Sequence, residues 1–175
     1  NRLIAIETPL GKDELILTAF RGMEGMSRLF SFDLVALSHN QGIAFEKIVG
    51  KSVTISVALA DNTMRYFNGI VSRFTQMGAG RPQDKEVHFA EYRAVMVPWL
   101  WLLALTENSK IFQDKSVPDI VKEVFDNRGF TDYALRLHGN YDKRVYCVQY
   151  RESDFQFVSR LLEDEGIHYF FEHED

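Results

Sequence analysis

The first half of the chain alternates apolar and polar residues with the period of a β-strand. From Phe30 to Ala36, and again from Val53 to Leu59, the alternation predicts strands that each bury one face. Closely spaced strands joined by turns favour a barrel or a sandwich, and Gly69 within a strand predicts a bulge or bend. The pattern predicts strands over residues 3–7, 14–21, 30–36, 53–59, 65–75 and 86–97, and a short helix over 44–49.

A different pattern begins after Pro98. Residues 99–105 are continuously apolar and contain both tryptophans, which predicts a core helix or turn packed on the strands. Further along, Ser116 is a natural N-cap, and Pro118 suits the first turn of a helix. The apolar residues that follow recur at helical spacing and predict a helix that ends near Gly129.

A second helix is predicted from Ser153, because Ser153 and Gln156 have the spacing of a capping box. Gly166 stands where a glycine commonly ends a helix. The buried face of this helix is expected to consist of Phe155, Val158, Leu161 and Leu162. Further strands are predicted at residues 133–137, 145–150 and 167–172. The last of these is expected to lack a partner strand and to present an exposed edge.

These elements together predict an α+β fold with two domains. Residues 1–108 are expected to form an antiparallel β-barrel. Residues 109–175 are expected to form a smaller α/β segment that is truncated at its C-terminal end. A chain of 175 residues is long enough for both to have hydrophobic cores.

Composition narrows the class of protein. The net charge is −5 and the 20 lysines and arginines are scattered, whereas a nucleic-acid binder shows a basic stripe. Cys147 is the only cysteine, so no internal disulfide can form, which fits a reducing compartment. The longest apolar run, 95–105, is interrupted by Pro98, and a membrane-spanning helix needs about 20 residues. Since no signal-peptide pattern is present, we expect synthesis in the cytoplasm, no stable membrane anchor and no nucleic-acid partner.

No set of side chains has a persuasive catalytic or metal-binding spacing. His168 and His173 would lie on opposite faces of the last predicted strand, so they cannot share a metal there. Glu163 and the two acidic residues after it diverge by about 100° each on a helix, which favours a solvated helix end. Gly78-Ala79-Gly80 lacks the lysine of a phosphate loop and indicates a hairpin loop. His168 and His173, like His39, His88 and His138, are expected to face solvent or to lie at strand edges.

We therefore predict no catalytic residue, no cofactor and no metal site. A Ser-His-Asp arrangement stays open, although no nucleophile-elbow pattern occurs. Aromatic residues are plentiful, with 14 Phe, 7 Tyr and 2 Trp, but aromatic side chains at strand spacing belong more often to a core or an interface than to a ligand site.

Three stretches, residues 98–103, 111–121 and 150–167, look like a family signature. They read PWLWLL, IFQDKSVPDIV and YRESDFQFVSRLLEDEGI. In them the chain resembles the VgrG family, the spike hub proteins of type VI secretion systems, and the likeness extends over nearly the whole chain. The motif residues are interpreted as folding determinants: Pro98, Trp99, Trp101, Phe112, Ser116, Pro118, Ile120, Ser153, Asp154, Phe155, Leu161, Leu162, Glu163 and Gly166.

The resemblance implies an architecture and a set of partners. The first domain would be similar to a tail-tube subunit, as in the baseplate hub of contractile-tailed phages. The full-length protein would be a homotrimer that caps a hexameric tube protein and is propelled into target cells with effectors. Effector or adaptor proteins and a spike-tip protein would bind through regions outside these residues. The protein would be made in the cytoplasm and then secreted by the type VI machine into target cells or the medium.

Three other functions stay open from the sequence. The chain could be the hub of a contractile phage or phage-like particle, and an OB-like domain followed by a needle repeat downstream would favour VgrG instead. An envelope-acting hydrolase would need a general-acid carboxylate in an aromatic-lined cleft, which the sequence does not indicate. A carbohydrate-binding module is suggested by the aromatic content alone.

Overall fold

The computed structural model describes residues 2–79 and 89–174 and divides into two units. The first unit consists of Asn1–Trp99 and Phe170–Asp175, and the second of Leu100–Tyr169. The predicted domain boundary lies between residues 108 and 109, whereas the two units divide after Trp99. The chain then returns to the first unit at Phe170. The predicted hairpin loop from Gly80 onwards, and His88, lie outside the described residues.

Six antiparallel strands make up the first unit. They are β1 (Ile4–Glu7), β2 (Ile16–Met23), β3 (Ser31–Ser38), β4 (Ser52–Ala58), β5 (Met64–Ala79) and β6 (Ala90–Val97). They form one sheet in the order β1-β4-β5-β6-β3-β2. The sheet curls until its outer strands, β1 and β2, lie beside each other, which gives the barrel-like form that the alternation predicted. The helix predicted at 44–49 is a single 3-10 turn, Phe45–Lys47.

Alternate side chains of these strands fill the barrel. On β3, Phe32 and Leu34 are buried while Ser31 and Asp33 are exposed, and on β4 Ile55 is fully buried. Burying each such side chain contributes about 1.5–3 kcal/mol relative to leaving it exposed. The period-two pattern is therefore the main local determinant of the first unit.

Gly69 allows close packing of β5 against β6, and of the predicted bulge or bend, the bulge does not occur at this position. The register shifts of β5 lie further along the strand. A Cβ atom at Gly69 would lie 2.7 Å from Cγ of Met96 and 2.8 Å from the carbonyl oxygen of Val97. Only a glycine lets the end of β6 approach β5 this closely.

The second unit packs two helices on a small sheet. A 3-10 helix, Trp99–Leu105, leads into it and buries Leu100 and Leu103. The sheet pairs β7 (Glu107–Phe112) with β8 (Cys147–Ser153), and the helices are α1 (Val117–Asn127) and α2 (Asp154–Asp164). Strand β7 was not predicted, because only its last two residues are apolar. Residues 133–137, predicted as a strand, are irregular.

The buried face of α2 differs by about one position from the prediction. Val158 and Leu161 are buried as expected, but Phe155 is only half-buried. The other buried positions of α2 are Asp154 and Phe157. The prediction considered apolar residues only, whereas partners elsewhere in the unit hold the Asp154 carboxylate inside.

The segment after α2 is not an exposed edge strand. Residues 167–173 alternate between half-buried and exposed side chains, as predicted, but they belong to neither sheet. Instead, Phe171 packs against the core of the barrel. The expected exposed edge at this segment was therefore wrong.

Candidate functional site

Both predicted helix starts are reciprocal capping boxes. In α1, the Asp119 amide donates to Ser116 Oγ at 3.4 Å, and the Ser116 amide donates to Asp119 Oδ2 at 3.3 Å. In α2, the Gln156 amide donates to Ser153 Oγ and the Ser153 amide donates to Gln156 Oε1, each at 3.1 Å. Each box satisfies two amides that a helix start leaves without an intrahelical partner.

Asp154 is the centre of a buried polar network in the second unit. Its side chain is 4 % exposed. Its Oδ1 accepts hydrogen bonds from Asn108 Nδ2 and Gln149 Nε2, both at 2.8 Å. Its Oδ2 accepts from Nε and Nη2 of Arg128 at 2.9 and 2.6 Å. The one carboxylate thus joins β7, the C-terminal end of α1, β8 and the start of α2.

The hydrogen bonds outweigh the cost of burial at this carboxylate. Burial raises the pKa of Asp154, but hydrogen bonds from Gln149, Asn108 and Arg128, together with the charge of Arg128, lower it, and the net pKa is below its ordinary value. The carboxylate is therefore held ionised by donors that are all engaged in holding it. Such a group supports the structure of the second unit.

The apolar motif residues lie in the same unit. Phe112 of β7 stacks on Phe157 of α2, with ring centroids 5.4 Å apart and 18° between the ring planes. Ile120 and Leu161 are fully buried on α1 and α2. These side chains join the helices to the sheet, which is a packing role.

The remaining motif residues occupy the edges of these elements. Pro98 is buried, Trp99, Trp101, Pro118 and Leu162 are half-buried, and Glu163 is exposed. Gly166 has a φ of +66°, the left-handed conformation that glycine adopts most readily at the end of a helix.

Most histidines in the described part of the chain are exposed. His39, His138 and His168 are exposed, whereas the ring of His173 packs against aromatic rings of the barrel. Cys147 is buried. Within residues 2–79 and 89–174, no three His, Cys, Asp or Glu residues converge in a way that could hold a metal ion.

The acidic end of α2 is paired and solvated. Arg144 donates to Glu165 Oε1 at 2.8 Å and to Asp164 Oδ2 at 3.4 Å. Glu163 is exposed. This agrees with the interpretation of the acidic run as a helix end.

One apolar surface was not foreseen from the sequence. The inner face of the β7–β8 sheet carries buried side chains, while its outer face exposes Ile111 by 53 %, Tyr150 by 66 % and Val148 by 37 %. Tyr146, just before β8, is 55 % exposed. Contiguous exposed apolar side chains with tyrosines are typical of protein–protein interfaces. The alternation of β8 could have indicated this surface, had its partner strand been recognised.

Among the described residues, no helix is both long and apolar enough to cross a membrane.

Comparison with known proteins gives consistent relatives. Residues 23–175 match the family described as phage tail baseplate hub (GPD). Over 174 residues the chain is 44 % identical to the type VI secretion system spike protein VgrG1a of Pseudomonas aeruginosa. The matched region covers 99 % of this chain and 26 % of that protein. It is 32 % identical to the actin cross-linking toxin VgrG1 of Vibrio cholerae, of which it spans 15 %. The chain thus spans about a quarter or less of these relatives.

Two solved structures share the fold. One is the c3393 protein of E. coli, a type VI secretion component described as structurally similar to the T4 bacteriophage tail proteins gp27 and gp5. It matches with a TM-score of 0.81 and 26 % identity over 98 % of this chain and 45 % of that one. The other is a tail protein of Neisseria meningitidis, with a TM-score of 0.64 and 13 % identity over 98 % of this chain and 48 % of that one.

Proposed function

Since the chain belongs to the phage tail baseplate hub family, we propose that it is the N-terminal part of the structural hub of a type VI secretion spike. In this proposal the complete protein is a trimer that caps the tube and is propelled into target cells with effectors. The observation that carries it is the α+β fold with its curled antiparallel sheet, combined with 44 % identity to a type VI spike protein along 99 % of the chain.

The proposed partner of the first unit is the end of a hexameric tube. A trimer with threefold symmetry can match the sixfold symmetry of the tube only if each of its subunits presents two similar barrels. The first unit supplies one barrel, and in this proposal the second comes from the part of the protein outside these residues. Multivalency then favours the complete trimer, since its later contacts with the tube are intramolecular.

Co-sedimentation with purified tube rings tests the docking. The complete trimeric protein is expected to sediment with the rings, and the 175-residue chain at the same subunit concentration is expected to bind far more weakly. Binding of the monomeric chain as tight as that of the trimer would refute the multivalent docking. No binding by the complete protein would refute the assignment to a tube-capping spike.

The proposed role of these residues is structural and not enzymatic. The buried carboxylate of Asp154 is fully engaged with Asn108, Gln149 and Arg128. The Vibrio relative is named for an actin cross-linking toxin, and we do not propose that activity for this chain. The purified chain is expected to show no peptidoglycan or ester hydrolysis. Reproducible hydrolysis abolished by one side-chain substitution would contradict this.

The second candidate is the hub of a contractile phage or phage-like particle, which the family description itself favours. The complete reading frame distinguishes the two, because an OB-like domain followed by a needle repeat is expected for the spike. Under the first proposal, the protein is made in the cytoplasm and secreted by the type VI machine. Effector, adaptor and spike-tip proteins would bind the regions outside these residues.

A further inference from the structure

The end of strand β6 leaves part of β5 without its neighbour. The β5–β6 ladder starts at the pair Ile70–Val97, and Pro98 follows directly, which has no amide hydrogen to continue a ladder. Residues 64–69 of β5 therefore extend beyond β6, although β4 still pairs with them on the other side. We call the side of residues 64–69 that faces away from β4 the half-edge.

Residues 170–174, which we call the strap, lie against the half-edge. The Asn68 amide donates to Nδ1 of His173 at 3.0 Å, and the Glu174 amide donates to Oδ1 of Asn68 at 2.9 Å. Because an amide can only donate, Nδ1 must accept, and the ring proton therefore sits on Nε2. Nε2 lies 3.2 Å from Oε2 of Glu24, so His173 joins β5 to the turn that follows β2.

Aromatic packing fills the space between these two anchors. The His173 ring lies 5.2 Å from the Phe30 ring and 5.5 Å from the Phe67 ring, measured between centroids. Phe171 meets Phe30 edge-on at 5.1 Å. The side chain of His173 is 10 % exposed, whereas Phe170 is 55 % exposed. Alternate residues of the strap thus point into the barrel, as they would in an added strand.

We propose that the strap takes the place of the missing strand beside β5 and that closure of the barrel depends on it. Two hydrogen bonds, each from a main-chain amide to a side chain, hold the strap to Asn68. The rings of Phe171 and His173 fill the gap between β5 and the start of β3. The first unit is then complete only when the chain has passed through the second unit and returned. The strap also occupies an edge that would otherwise be open to strand addition by a second copy.

Hydrogen exchange of the 175-residue chain tests the proposal. His173→Ala is expected to speed exchange of the amides in residues 64–69 at least tenfold, with Asn68 among the most affected, while the amides of α1 and α2 keep their rates. Phe171→Ala is expected to act in the same direction. Phe170→Ala is the matched control, because it removes an exposed ring from the same segment, and its exchange is expected to equal that of the wild type.

His173→Phe separates the two contributions of the histidine. Phenylalanine keeps a ring in the aromatic cluster but has no acceptor for the Asn68 amide. It is therefore expected to speed exchange of that amide while leaving its neighbours closer to the wild-type rate. The His173→Phe variant also tests the proposal if His173→Ala does not fold. The proposal would be overturned if residues 64–69 exchanged at the same rate in the His173 variants, in Phe171→Ala and in the Phe170→Ala control.

Discussion

Replacing Asp154 with asparagine removes a negative charge from the middle of the second unit and keeps the shape of the side chain. Its remaining oxygen can still accept from Asn108 and Gln149, but the new amide group then faces the guanidinium of Arg128, donor against donor. Breaking a buried ion pair by changing one partner costs about 3–5 kcal/mol. Because the Arg128 side chain is 33 % exposed and keeps some water, we expect a loss near the lower end, about 3 kcal/mol.

Urea unfolding followed by circular dichroism at 222 nm measures this loss, because both long helices belong to the second unit. Asp126→Asn is the matched control. That carboxylate pairs with Lys122 at 2.7 Å at the surface, with a side chain 49 % exposed, and exposed pairs of this kind contribute little to stability. Equal losses for Asp154→Asn and Asp126→Asn would refute the claim that the buried network stabilises the unit.

The same substitution should change how stability depends on pH. The pKa of Asp154 is lowered in the folded protein, whereas an unfolded aspartate titrates near pH 3.9. Its contribution is therefore fully present above about pH 4 and is lost as the pH falls through the folded pKa. The difference in unfolding free energy between wild type and Asp154→Asn is expected to shrink below about pH 4. A difference that stays constant down to pH 2 would contradict this.

Two further predictions concern packing and capping. Ser153→Ala should cost about 1 kcal/mol through the lost cap, and Leu161→Ala about 2–5 kcal/mol through the cavity it leaves, both measured by urea unfolding; equal, negligible losses would show that α2 is not a stabilising element. Gly22→Val should destabilise the first unit, because a Cβ at this position would lie 2.0 Å from Cδ1 of Phe32. The melting temperature of the Gly22→Val variant is expected to fall well below that of Gly25→Val. A Cβ at Gly25 would lie 3.2 Å from its nearest atom, which belongs to the flexible Arg28 side chain.

Features encoded locally could be predicted from the sequence. The strands of the first unit follow from alternation, and the capping box of α2 follows from Ser153 and Gln156, which are three positions apart. The neighbours that decide these features are adjacent in the chain. The general fold class and both helix starts were therefore within reach.

Features that depend on distant partners could not be predicted. Asp154 is buried because Arg128 and Asn108 surround it, and neither stands near it in the chain. Strand β7 was missed because its sequence is mostly polar and only its pairing with β8 makes it a strand. His173 contacts Asn68 across 105 positions, which no local pattern could indicate.

The return of the chain to the barrel sets an order for its completion during synthesis. Residues 100–169 stand between β6 and the strap, and at about 5–20 residues per second a ribosome needs roughly 4–14 s to add them. Throughout that time the nascent barrel has its half-edge open, and by its end the helices and strands of the second unit, up to Asp164, have all been made. The unit that begins first in the sequence is therefore the one that is finished last.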